Sequence, residues 1–246
     1  MTLDMGMLED AVKIVDDLRS KGIQLRIMGA VAFRLHCPKR QDMFEKLDRP
    51  LTDIDFMGSA RDATRITEHF ESLGHKLVYG LIGERKIFAR PDGTKVDVFL
   101  DKLSMCHTID FEKRLGVDYP TVPLAELTLE KLQIVKITEK DIKDLSVLFL
   151  EHEIGHIDQD TINGAYVARL LAKDWGFYHT TVTNLSKIHG RSDQFEGIND
   201  VEKQVIARKI SNLRQMIESE PKSVAWKMRA VTGTKVRWYR EVEDLE

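Results

Sequence analysis

Cysteine is nearly absent from this chain. Cys37 and Cys106 are the two in 246 residues, and neither sits in a C-x-x-C pair. That is too few for a disulfide framework, and a reducing, cytoplasmic compartment is the expectation. No apolar run approaches the length of a membrane span, so no membrane partner is expected. The opening segment, Met1 to Leu8, includes Asp4 and has neither a basic stretch nor a long apolar run, which argues against a secretory leader. Charge of one sign is lacking too, since the formal balance is −3. What is present is ordinary for a soluble protein: 42% hydrophobic and 31% charged residues, enough to bury a normal core.

Against this background, three carboxylates stand out. Asp53 and Asp55 lie in Thr52-Asp53-Ile54-Asp55-Phe56, and Asp97 lies in Lys95-Val96-Asp97-Val98-Phe99. Alternate side chains of a strand share a face, so Asp53 and Asp55 point one way while Ile54 and Phe56 point into a core. Asp97, flanked by Val96 and Val98, repeats the pattern on a second strand. If the two strands are neighbours, three acids converge, and like charges held together call for a cation. Hard oxygen ligands suit Mg²⁺, which completes its shell with water and substrate phosphates. That chemistry is phosphoryl or nucleotidyl transfer.

A D-x-D by itself is common at strand ends and turns. The order of elements gives it meaning. A first helix from Leu3 to Ser20 closes at Lys21-Gly22, and a strand from Gln24 to Met28 leads into a glycine turn. A helix from Ala30 to His36 starts directly after Gly29, so its N-terminal N–H groups suit an anionic phosphate. The charged stretch Lys39 to Arg49 reads as an insertion or loop. The paired acids follow, then a helix from Ala60 to Leu73. Strands at His75 to Ile82 and Arg85 to Ala89 turn around Gly83-Glu84, and Pro91-Asp92-Gly93 leads into the Asp97 strand. This is an antiparallel meander closing a mixed sheet. Beyond Pro123 the pattern becomes helical, with Leu124, Leu127, Leu129, Leu132 and Val135 at helical spacing and a second helix after Thr138 running through Phe149.

Gly29-Ala30, Arg49-Pro50-Leu51-Thr52-Asp53-Ile54-Asp55 and Val96-Asp97-Val98 together resemble the polymerase-beta-like nucleotidyltransferase superfamily. Within it, the chain is most similar to the prokaryotic branch that includes the abortive-infection nucleotidyltransferase toxins. Two departures accompany the resemblance: Ala30 stands where the family usually has glycine or serine, and Asp53 follows Gly29 by 24 positions, a longer interval than is common. The resemblance implies an α+β nucleotidyltransferase fold, a mixed sheet flanked by helices, over residues 1–122, followed by a helical C-terminal region over 123–246. It implies transfer of a nucleoside monophosphate from a nucleoside triphosphate, ATP among them, to a hydroxyl of RNA, protein or a small molecule. Two Mg²⁺ ions, or Mn²⁺, would be held by Asp53, Asp55 and Asp97. Asp97 would help ready the acceptor, and Gly29, Ala30, Thr52, Lys95 and Lys131 would meet the nucleotide. An antitoxin-like protein partner is a further implication. A non-catalytic nucleotide-binding or toxin–antitoxin module of the same fold is the alternative, and Ala30 is the feature that favours it.

Two other signals compete. His152-Glu153-Ile154-Gly155-His156 matches H-E-x-x-H, a zinc-hydrolase pattern that needs one continuous helix and a third ligand. The following Ile157-Asp158-Gln159-Asp160-Thr161 reads instead as a helix exit. The stretch Thr161 to Leu245 reads as helical, and from Val201 to Arg240 it holds ten Lys or Arg against three Glu. Its Trp226, Trp238 and Tyr239, interleaved with basic residues, suit either nucleic-acid stacking or packing against the rest of the protein.

Overall fold

The computed structural model of the chain describes residues 2–81, 84–192 and 194–242. The expected turn at Gly83-Glu84 includes Ile82 and Gly83, and the expected helical stretch ends at Leu245. These three residues lie outside the described ones. In chain order the elements are α1 (Thr2–Ser20), β1 (Leu25–Met28), α2 (Gly29–His36), α3 (Gln41–Lys46), β2 (Asp53–Gly58), α4 (Ala63–Ser72), β3 (Lys76–Leu81), β4 (Arg85–Ala89), β5 (Lys95–Leu100), β6 (Lys102–Ser104) and β7 (Thr108–Asp110). They continue with α5 (Leu124–Leu132), α6 (Glu139–Glu151), β8 (Glu153–Gly155), β9 (Thr161–Asn163), α7 (Gly164–Leu171), α8 (Trp175–Ser192), α9 (Asp200–Ser219) and α10 (Val224–Thr232). The architecture is α+β, with a mixed sheet and flanking helices followed by a mainly helical stretch. The chain forms two compact units, one of Met1–Pro38, Pro50–Leu103 and Ile109–Pro123, the other of Lys39–Arg49, Ser104–Thr108 and Leu124–Glu246.

The first unit is built on a five-stranded sheet in the order β1-β2-β5-β4-β3. β1 runs antiparallel to β2, β2 and β5 are parallel, and β5, β4 and β3 form the expected antiparallel meander. Ile54 and Phe56 of β2, Val96 and Val98 of β5, and Phe88 of β4 are fully buried. Phe70 of α4 stacks on Phe88 at 4.8 Å between ring centroids and meets Phe56 edge-on at 5.7 Å. The helix sits so close that a Cβ on Gly58 would come within 2.8 Å of Ile66 Cδ1. α1 contributes Ala11, Ile14, Val15 and Leu18, buried at helical spacing. It ends as the sequence indicates. Gly22 takes φ +73°, its N–H bonds Arg19 O at 2.9 Å and the Ile23 N–H bonds Leu18 O at 3.0 Å, a Schellman closure.

The second unit contains the expected helices with shifted ends. α6 starts at a capping box between Thr138 and Asp141, and α9 at another between Asn199 and Glu202. Two differences are larger. The stretch read as a loop, Lys39 to Arg49, is mostly helical, with a 3-10 turn at Pro38–Arg40 and then α3. Its buried Met43 and Phe44 and the ion pair of Arg49 with Asp144 tie it into this unit, which a charge count along the sequence does not convey. The second difference is a two-stranded parallel pair, β8 with β9, immediately after α6.

Two polar devices lie inside this unit. Arg49 Nη2 reaches Asp144 Oδ2 at 2.8 Å, and both side chains are nearly inaccessible to water. Lys131 Nζ lies 3.2 Å from Asp141 and 3.8 Å from Asp144. Burial pushes the Asp144 carboxyl up against the pull of Lys131 and Arg49, whereas for Asp141 the upward push of burial is outweighed by Lys131 and the Thr138 bonds, leaving it low. The other device is a relay. Trp238 Nε1 donates to Thr180 Oγ1 at 3.1 Å, and the same hydroxyl is hydrogen-bonded to His107 Nε2 at 2.9 Å. His107 is stacked on Phe177 at 4.8 Å, and burial lowers its pKa to about 4.

Two outcomes are expected. Phe70→Ala should lower the unfolding free energy by about 3–5 kcal/mol in denaturant titration. The His107 contribution has a defined sign: its folded pKa lies below the unfolded value, so the unfolded state takes up the proton first as pH falls. Wild-type stability should therefore decline between pH 6.5 and about 4 relative to His107→Gln, by on the order of 2 kcal/mol, and the two curves should run parallel above pH 7.

Candidate active site

β1 ends at Met28, and the chain enters α2 through Gly29, whose φ is +65°. Glycine is required here for two reasons. The left-handed conformation disfavours a side chain, and a Cβ at this position would fall 2.1 Å from Asp55 Oδ2 and 2.9 Å from its Cγ. The carboxylate of Asp55 therefore lies directly against the first residue of α2. Met28 at the N-cap supplies no side-chain acceptor, and the first turn holds no acidic residue. The helix dipole and first-turn N–H groups favour negative charge at this place. Ala30, next in the turn, is buried.

The sheet register assembles the rest. Met28 is opposite Asp55 across the β1/β2 pair, and Asp55 is opposite Asp97 across the parallel β2/β5 pair. Asp53 is opposite Lys95 in the same ladder. Alternation puts Asp53, Asp55, Lys95 and Asp97 on one face, while Ile54, Phe56, Val96 and Val98 fill the core on the other. Neighbouring strands stand about 4.8 Å apart, so Asp55 and Asp97 are adjacent. Asp53 and Asp55 are half-buried, Lys95 is exposed, and Asp97 is 9% exposed. Thr52 Oγ1 donates to Asp53 Oδ1 at 3.1 Å. Lys131, expected at the nucleotide, makes its ion pairs with Glu130, Asp141 and Asp144 of the second unit.

One member of this face escaped the sequence reading. Arg85 donates from Nη2 to Asp97 Oδ2 at 2.9 Å and from Nε to Oδ1 at 3.3 Å, and its guanidinium stands 5.0 Å above the ring centre of Phe99. The signal was available in the meander. Ile87 faces Asp97 and Arg85 faces Phe99, so Arg85 shares the face of Asp97 one alternation further along. The need for a cation beside crowded acids is met at Asp97 by a side chain of the protein itself.

Among the described residues, no group of three or more His, Cys, Asp or Glu side chains is arranged to hold a metal ion. The donor chemistry of the acid face nevertheless fits a divalent cation: Asp53 and Asp55 offer hard oxygens side by side on a half-open face, with Asp97 one strand away. The zinc pattern does not survive. α6 stops at Glu151, His152 has extended backbone at φ −108° and ψ 148°, and Glu153–Gly155 is a strand. His152 and His156 therefore do not sit one helical turn apart. His152 Nδ1 lies 3.3 Å from Asp160, and Glu153 is paired with Lys209 at 3.0 Å. The aromatic residues near the C-terminus are engaged in packing. Trp226 Nε1 donates to Leu171 O, Arg229 stands 4.7 Å above Trp175, and Arg240 bonds Thr108. No helix among the described residues is long and apolar enough to cross a membrane.

No protein-family model matches the chain, and no curated protein matches it. Among solved structures, a crystal structure of the lincosamide antibiotic adenylyltransferase LnuA with lincomycin bound aligns at TM-score 0.42 and 14% identity, over 55% of this chain and 92% of that one. A solution structure of the antibiotic-resistance factor ANT(2'')-Ia aligns at 0.44 and 13%, over 69% and 95%. An antigenic nucleotidyltransferase-like protein from Paracoccidioides brasiliensis aligns at 0.37 and 13%, over 89% and 95%.

Gly29→Ala should cost roughly 2–4 kcal/mol of stability, combining left-handed strain with overlap on Asp55. Gly93→Ala, at φ +88° with open space around it, isolates the backbone share. A larger loss at position 29 in denaturant unfolding is the expected result.

Proposed function

We propose that this protein is a divalent-cation-dependent nucleotidyltransferase of the polymerase-beta-like kind. One observation carries the reading: the Gly29 turn is in contact with the Asp55 carboxylate, and Asp55 stands beside Asp97 in a parallel strand pair. The glycine turn and the paired acids thus lie at one end of one sheet face, from segments far apart in sequence, which supports reading the turn as a phosphate seat.

Asp53, Asp55 and Asp97 would hold Mg²⁺ or Mn²⁺, whose chemistry is to neutralise the triphosphate and the departing pyrophosphate. The turn at Gly29 and the start of α2, with Ala30, would seat phosphate oxygens. Thr52 orients Asp53 through its hydrogen bond, and Lys95, exposed on the same face, supplies positive charge toward the nucleotide. In the reaction an acceptor hydroxyl oxygen bonds to the α-phosphorus, and the bond from that phosphorus to the bridging oxygen of pyrophosphate breaks. The hydroxyl proton leaves by way of the Asp97 carboxylate to solvent. An RNA 3′ end, a protein side chain and a small metabolite are each chemically competent acceptors. The resemblance to the abortive-infection branch adds an antitoxin-like protein as a partner to seek by co-purification.

Calorimetric titration with each of the four nucleoside triphosphates and Mg²⁺ tests the site. Binding of at least one is expected, and Asp55→Asn should weaken it by tenfold or more, about 1.4 kcal/mol. Equal binding by the variant would overturn the assignment.

A further inference from the structure

The geometry points to Arg85 as a built-in counter-ion of the acid face: it holds the Asp97 carboxylate in the cation-free protein and must be displaced from it when a divalent cation binds. The inference rests on the reading of Asp53, Asp55 and Asp97 as the cation-binding face and adds the residue that sets how tightly that face takes its ion.

Three observations support it. The pairing uses both oxygens of Asp97, at 2.9 and 3.3 Å, which leaves that carboxylate poorly placed to serve a metal at the same time. Asp97 is only 9% exposed and sits beside Asp55, so without a positive neighbour its charge would be held close to another carboxylate with little water to screen it. Arg85 itself is positioned to leave. Its side chain keeps 30% of its accessibility, it makes no other ion pair among the described residues, and its guanidinium lies over the face of Phe99. Moving the guanidinium off Asp97 therefore breaks one partly solvated pair.

The exchange is between two cations for the same oxygens. A partly exposed arginine–carboxylate pair contributes modestly, whereas a divalent ion brings twice the charge to Asp97 and Asp55 together. The ion wins when present at sufficient concentration, and its apparent affinity is reduced by whatever the arginine contributes. Arg85 is a positioning residue in this scheme, acting through Asp97.

Mn²⁺ binding, followed by the loss of the free-ion electron paramagnetic resonance signal, reads this out without turnover. In this chain, Arg85→Gln should bind Mn²⁺ about three- to tenfold more tightly than wild type. Phe99→Leu, which keeps the arginine and removes the ring beneath it, should shift affinity the same way by a smaller factor. Melting curves establish that each variant is folded. If wild type binds Mn²⁺ in an Asp55-dependent manner and both variants bind it equally or more weakly, the counter-ion role is overturned and the site assignment stands. If wild type shows no Asp55-dependent Mn²⁺ binding, both fall.

Discussion

The contact between the Gly29 backbone and the Asp55 carboxylate constrains more of the first unit than any other single feature. It fixes how the chain leaves β1, since only a left-handed residue without a side chain leaves room for the acid. It fixes where α2 begins, and so where the helix presents its positive end. It also ties β1 to β2 at the level of Asp55, and β2 in turn sets the register of β5 and the position of Asp97. The Asp55 charge at the N-terminal end of α2 is favoured by the helix dipole, and a second carboxylate, Asp97, stands one strand away.

Much of this was legible because the relevant signals are local. Period-two alternation around Asp53, Asp55 and Asp97 showed which side chains share a face. Lys21-Gly22 and Gly29 marked turns whose φ values are indeed positive. The Pro91-Asp92-Gly93 turn announced the meander. Arg85 escaped because its role depends on cross-strand register, which no residue of its own neighbourhood encodes. The charged run Lys39 to Arg49 looked like a loop because its apolar residues, Met43 and Phe44, are too few to declare a helix, and its decisive partner, Asp144, lies about a hundred positions on. The H-E-x-x-H match failed for a complementary reason. A pentapeptide carries the residues of a metal helix but not the helix, and here pairing of Ile154 with Ile162 imposes a strand.

The helical unit shows a different use of charge. Arg49, Lys131, Asp141 and Asp144 sit together away from water, where removing Asp144 would leave Arg49 without its closest counter-charge. Such a cluster adds little net stability. Lys131, expected at the nucleotide, has Glu130, Asp141 and Asp144 as its carboxylate neighbours.

The parallel pairing of β2 with β5 has a consequence for how the protein comes into being. Its partners are separated by α4, β3 and β4, so the acid row cannot exist until a chain segment of about forty residues has closed into a loop. Non-local parallel pairing is slow compared with helix or hairpin formation. During synthesis the Gly29 and Asp53-Asp55 segments precede Asp97 in the chain. The complete acid face is thus a late product of folding, assembled when the sheet closes.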